Sequence, residues 1–181
     1  MWASLVILLI QSASAQLLPP PVGAYHGAYA DFGPMANDVS VEKIQDFERL
    51  AGKRIVWAYF ANDWLDGNIA FPQKNVEECK KAQVIPYIRL MPWVAAKAQA
   101  TKSDPIFSMD AFLNGNHDPA LRLYALAAKN AGTQMILEFG PEVNGDWFPW
   151  NGRWNGAGKT KGYGDPAWPD GPEKFRDVYR H

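Results

Sequence analysis

Glu142 stands in the segment ILEFGPEVNGDWFPW, residues 136–150, where an apolar run ends on a carboxylate and four aromatic or prolyl rings, Trp147, Phe148, Pro149 and Trp150, follow within eight residues. A carboxylate so placed is suited to acid–base chemistry. Rings that exclude water disfavour the ionised form, raise the pKa and keep the proton on near neutrality, as a general acid requires. The same residues fit a glutamate that only braces a loop or caps a helix. On an extended strand Glu138, Gly140 and Glu142 share one face, and Gly140 leaves room beside the carboxylate. Fully extended, Glu138 and Glu142 are roughly 13 Å apart. The paired carboxylates of a glycosidase sit about 5–5.5 Å apart when configuration is retained and within about 9.5 Å when it is inverted. Unless the strand bends sharply, the partner of Glu142 comes from elsewhere: Asp31, Asp63 or a residue beyond 181.

The chain holds eight tryptophans. Trp64 and Trp93 fall just after the second and third apolar runs, and are expected on the same rim as Trp147, Trp150 and Trp154. Sugar rings stack their C–H faces on indole, with hydroxyls left for Asn, Asp and Arg, so such a rim suits a polysaccharide cleft. Long loops also use Trp to build small cores of their own. Asp63, Asn62, Arg89 and Asn144 lie at or near strand ends, where they can meet hydroxyls or bind loop backbone.

Other motifs exclude chemistry. GRWNGAGKT, residues 152–160 with Asn151 before it, misses a phosphate-binding loop by one position, since Arg153 stands where glycine is needed. His26, His117 and His181 have no spacing that suggests a metal site, and no cofactor is expected. Cys79 is the single cysteine, so an intrachain disulfide is impossible and a buried inert thiol is expected. Eighteen basic against nineteen acidic residues, without a basic stripe, give no electrostatic footprint for nucleic acid or an acidic membrane. The expected partner is neutral.

The elements that must position these residues alternate strand and helix. AYHGAYADFG reads as a first strand ending near Asp31. Ser40 caps a helix with Val41, Ile44, Phe47 and Ala51 on one face and Gly52 as its stop. RIVWAYFAND is the second strand, followed by a helix from Pro72 to about Ala82. VIPYIRLMPW is the third. DPALRLYALAAKNAG is a helix with Asp118 as cap, Leu121, Tyr124, Leu126 and Ala128 toward the sheet, and Gly132 as stop. TQMILEFGPE is the fourth strand, and a fourth helix starts at Pro172. Such alternation, with near-continuous apolar strands, predicts an α/β fold with a parallel sheet. The long loops follow the strands, which puts the working face at their C-terminal ends, as in a (β/α)8 barrel or a doubly wound sheet.

Residues 1–15 read as a secretory signal, with an apolar run at 5–10 and the small-x-small pattern Ala13-Ser14-Ala15, although no Lys or Arg precedes the run. Residues 16–23 read as a proline-stiffened leader, and 24–181 as the folded portion. A barrel takes about 250 residues and eight units; four units ending inside a helix lead us to expect the N-terminal portion of a longer chain, with no membrane attachment once the signal is removed.

PEVNGDWFPWNG at the end of the fourth strand resembles the acid/base segment of family 26 glycoside hydrolases, (β/α)8 enzymes that include β-mannanases and some mixed-linkage glucanases. YGDPAWPDGPEKFRDVYRH resembles the family's lead into its fourth helix. The resemblance implies a (β/α)8 TIM barrel of which this chain supplies the first four strand-helix units. It also implies a secreted retaining endo-β-glycanase acting on neutral β-1,4-mannan-type polysaccharide, with Glu142 as acid/base and Asn144, Trp147, Trp150, Trp64, Asp63 and Trp93 toward the substrate. The family's nucleophile, a glutamate on the seventh strand, lies outside the chain, so the fragment alone is expected to be inactive. Its usual histidine before the acid/base is Pro141 here. That departure supports a rival expectation, a non-catalytic carbohydrate-binding or degenerate barrel protein; within the family, glucan or xylan are the other substrates.

Overall fold

The computed structural model describes residues 20–96, 99–156 and 172–181. The expected signal peptide and the first half of the leader, the lysine of the glycine-rich segment, and the stretch leading into the last helix lie outside them. Four strands, β1 (Gly27–Ala28), β2 (Trp57–Asp63), β3 (Ile85–Met91) and β4 (Ile136–Phe139), form one all-parallel sheet in the order β1-β2-β3-β4. β2 and β3 pair over their full lengths, from Trp57 opposite Ile85 to Asp63 opposite Met91. Among the described residues five α-helices accompany the strands: α1 (Val41–Ala51), α2 (Gln73–Lys81), α3 (Met109–Leu113), α4 (Asp118–Asn130) and α5 (Pro172–Arg180).

Sequence signals account for most helix ends. Ser40 Oγ accepts the N–H of Lys43, and Gly52 and Gly132, the expected stops, take left-handed backbone at φ 63° and 62°. Three expectations are corrected. His117 rather than Asp118 occupies the cap position of α4, with Asp118 inside its first turn. Leu126 is exposed while Tyr124 is buried, because two residues along a helix turn the side chain about 200° away. The first strand is two residues long, and the chain leaves it through a left-handed Asp31 at φ 51°. The short helix α3, capped by Ser108 through the N–H of Ala111, sits inside the long loop after β3, a region we read only as loop.

Successive neighbours with no reversal of order have a consequence. Each strand is added on the same side of the one before it, and right-handed crossovers repeated in one direction place the connecting helices on one face of the sheet. Ala58, Phe60, Ile88, Leu90 and Phe139 point to that face and share a core with Ile44 of α1, Val76 and Cys79 of α2 and Tyr124 of α4. Residues of the opposite parity, Tyr59, Tyr87, Arg89 and Glu138, line the other face and are half-buried.

Cys79 lies in the core, and burial, with the neighbouring Glu78 charge second, pushes its thiol up to about 12. Only about one molecule in 10⁴ then carries a thiolate at pH 8. A thiol-specific reagent is expected to label Cys79 at the rate of unfolding; complete labelling within minutes in native buffer would contradict this packing.

Candidate functional site

β4 ends at Phe139, and the chain then turns sharply through Gly140 at φ 56°, where a Cβ would come 2.7 Å from the Phe175 ring of α5. Glu142 follows, itself left-handed at φ 53°. A non-glycine residue there costs about 1–3 kcal/mol and persists only where its surroundings hold it. Three consecutive carbonyls are held. Pro141 O accepts the Trp150 indole N–H at 2.8 Å, Glu142 O the N–H of Gly145 at 2.8 Å, and Val143 O the Asn151 amide at 2.8 Å.

The Glu142 carboxylate meets two donors. Arg89 Nη2, from the C-terminal half of β3, donates to Oε1 at 2.7 Å, and the Trp147 indole donates to Oε2 at 3.0 Å. Arg89 is shared: its Nε lies 3.8 Å from Glu138 Oε2 and its guanidinium sits 5.1 Å from the centre of the Tyr59 ring. Tyr59 donates its hydroxyl to Glu138 Oε2 at 3.2 Å, and burial raises its phenol well above the ordinary value, so it stays a donor. Tyr87 stands edge-on to Tyr59 with ring centres 4.8 Å apart.

Two expectations about the carboxylates change. The strand does bend, so Glu138 and Glu142 stand on either side of one guanidinium instead of a strand's length apart. Arg89 is within ion-pair distance of both, 2.7 Å from Glu142 Oε1 and 3.8 Å from Glu138 Oε2. The dry setting is also absent, since the Glu142 side chain is 48 % exposed.

Among the tryptophans, Trp64 is 0 % exposed and packs against Phe107, Phe112, Tyr124 and Phe139. It belongs to the core between sheet and helices, not to a rim. Trp150 at 1 % and Trp93 at 8 % are likewise buried, clustered with Phe148 at centroid distances of 4.3 to 5.7 Å. Of the five tryptophans expected on the rim, Trp147 is exposed, at 40 %; Trp154 is half-buried with its indole N–H donated to Asp146 O at 2.8 Å, and Trp93 and Trp150 form a private core of the long loop that carries Glu142. Asn144 is exposed on the turn that follows Glu142. Asp63, at the end of β2, accepts the Trp93 indole N–H on Oδ1 at 2.8 Å, and its Oδ2 is buried without a partner. Burial raises its carboxyl above the usual range, opposed by the Trp93 hydrogen bond. Asp63 thus anchors the aromatic cluster instead of reaching outward.

Tyr59, Arg89 and Glu138 were the residues least visible as a site. Their signal was register: Ala61, Arg89 and Glu138 lie side by side across β2, β3 and β4, two positions beyond Tyr59 and Tyr87 on the same face. Among the described residues no group of three or more His, Cys, Asp or Glu side chains is placed to hold a metal, and no helix is long and apolar enough to cross a membrane.

Fold and site together define an α/β protein with a parallel sheet whose strand ends carry an arginine shared by two carboxylates. No protein-family model matches the chain, and no curated protein matches it.

Proposed function

We propose that this is the acid/base half of a secreted retaining endo-β-glycanase built on a (β/α)8 barrel and acting on neutral β-1,4-mannan-type polysaccharide. The observation that carries the reading is the place of Glu142: a carboxylate at the C-terminal end of the fourth of four singly wound parallel strands, pinned at three carbonyls and met by an indole N–H. Barrel enzymes build their sites on that face. A sheet with all its helices on one side and polar residues on the other gains cover for its open face by closing on itself, which favours a barrel over a doubly wound sheet.

In this mechanism Glu142 gives its proton to the leaving glycosidic oxygen while a glutamate from a later strand, the seventh in the family it resembles, attacks the anomeric carbon. Glu142 then takes a proton from the water that releases the glycosyl-enzyme. Arg89 and Trp147 hold the carboxyl in place, Glu138 and Tyr59 hold Arg89, and Trp147 offers its exposed face to the sugar. Secretion rests on residues 1–15. Mixed-linkage glucan and xylan are the other substrates within the same class.

The rival reading, a carbohydrate-binding or degenerate barrel protein, is favoured by Pro141 where the family has histidine and by the ion pair that ties Glu142 to Arg89. Product stereochemistry separates the two. With the full-length protein and β-1,4-mannan, proton NMR is expected to show the β-anomer of the new reducing end first, before mutarotation. Initial release of the α-anomer would contradict the retaining mechanism, and binding without any cleavage would establish the rival.

A further inference from the structure

The acid step and the observed geometry make opposite demands on Glu142. A general acid enters the reaction with its proton, whereas a guanidinium 2.7 Å from Oε1 favours the ionised form. The pairing seen here therefore suits Glu142 as base, and Arg89 needs another partner while Glu142 serves as acid. We propose that Glu138 is that partner: a positioning residue that draws Arg89 off Glu142 while Glu142 holds its proton and gives it back once the proton has gone. The proposal rests on the glycanase reading above.

A donor stands ready for the move. Arg89 Nε is buried without a hydrogen-bond partner, and Glu138 Oε2 lies 3.8 Å from it. Closing that gap by about an ångström makes a charge-assisted hydrogen bond of ordinary length. The guanidinium sits 5.1 Å from the centre of the Tyr59 ring, and a cation holds its attraction to such a ring out to about 6 Å, so a small slide keeps the contact. Glu138 is itself fixed. Tyr59 donates its hydroxyl to Oε2 at 3.2 Å, and burial above all keeps that phenol protonated.

The other titratable groups around the guanidinium are Tyr87 on its own strand and Asp63 at the end of β2. Burial raises both above their usual ranges, and the Arg89 charge opposes the rise in each. Tyr87 thus stays neutral, and Asp63 already accepts the Trp93 indole N–H on Oδ1 at 2.8 Å. With Arg89 on Glu138, Trp147 still donates to Glu142 Oε2, and Oε1 is left to carry the proton to the leaving oxygen. That transfer ionises Glu142 and brings Arg89 back. The proton that Glu142 then takes from the attacking water releases Arg89 to Glu138 again.

The test is the pH profile of kcat/KM of the full-length protein on the β-glycan it cleaves, β-1,4-mannan first, for the wild type and Glu138→Gln. The alkaline limb reports loss of the proton from the acid. Without Glu138, Arg89 stays on Glu142 and favours its charged form, so the limb is expected to move to lower pH by about one unit or more. An aryl glycoside with an acidic phenol departs without protonation, and its first step is expected to keep its rate. Glu138→Asp, with the charge on a shorter arm, is expected to shift the limb in the same direction by less, and supplies the comparison if the amide variant does not fold. A limb that stays in place, with any loss equal for both substrates, makes Glu138 a structural prop and overturns the proposal alone. Failure of the wild type to cleave mannan, glucan or xylan overturns both the proposal and the glycanase reading.

Discussion

Glu142→Gln in the full-length protein is expected to lower turnover of polysaccharide by about 10²–10⁴-fold, the usual contribution of a positioned general acid. That range corresponds to about 3–5 kcal/mol of barrier. A structural effect of the same substitution is much smaller. The carboxylate is half-exposed, and an ion pair in that setting contributes about 0–1 kcal/mol. Rate loss therefore greatly exceeds stability loss if Glu142 transfers protons. The substitution is imperfect in one respect: Glu142 accepts from both Arg89 and Trp147, and an amide has one acceptor oxygen, so one of the two donors must turn away. Sugar binding is thus to be measured alongside turnover, and is expected to stay nearly intact. Leaving groups provide the sharper control. An aryl glycoside with an acidic phenol departs without protonation, so its first step is expected to be nearly unaffected, whereas a sugar leaving group suffers the full loss. Equal losses for both would move Glu142 from proton transfer to positioning, and unchanged turnover of polysaccharide would remove it from the site.

The parallel α/β class, the caps Ser40 and Gly52 and the length of α2 were legible because each rests on local rules: periodicity, a hydroxyl before a helix, a glycine after it. The site was legible only in part. Glu142 announced itself by position, a carboxylate after an apolar strand with Trp147 close behind it, but its charged partner Arg89 comes from a strand far away in sequence. Arg89 reaches it only through the register of β3 and β4, and no spacing within the chain encodes that register. The expected 13 Å between Glu138 and Glu142 failed for a local reason, the left-handed Gly140 and Glu142, which a straight-strand assumption cannot contain. Tryptophan was the most misleading residue type. Its mixed character suits both a sugar platform and a loop core, and only packing partners distinguish them. Trp93, Trp150 and Trp147 are all near Glu142, yet the first two hold the loop and the third alone shows much of its face.

Trp64 gives that distinction its strongest test. The residue follows β2 directly, and its ring meets Phe107 at 5.5 Å, Phe139 at 6.3 Å, and Phe112 and Tyr124 at 6.4 Å between centroids. It therefore joins the loop after β3, α3, α4 and the last strand in one contact. Truncating a fully buried Trp to Ala costs about 3–5 kcal/mol, through lost transfer energy and the cavity left behind. A domain with about 5–15 kcal/mol of total stability loses a large share of it. At about 2–4 °C per kcal/mol for a chain of this size, the melting temperature of Trp64→Ala is expected to fall by roughly 6–20 °C. Trp64→Phe keeps an aromatic ring among the four neighbours and is expected to recover part of the fall. A sugar platform predicts the opposite pattern: an unchanged melting temperature in thermal denaturation followed by circular dichroism, with weakened oligosaccharide binding. Such a result would return Trp64 to the cleft and would mean that α3 and α4 attach to the sheet by other contacts. A large thermal shift with binding preserved in the folded fraction leaves Trp147 as the exposed indole beside Glu142.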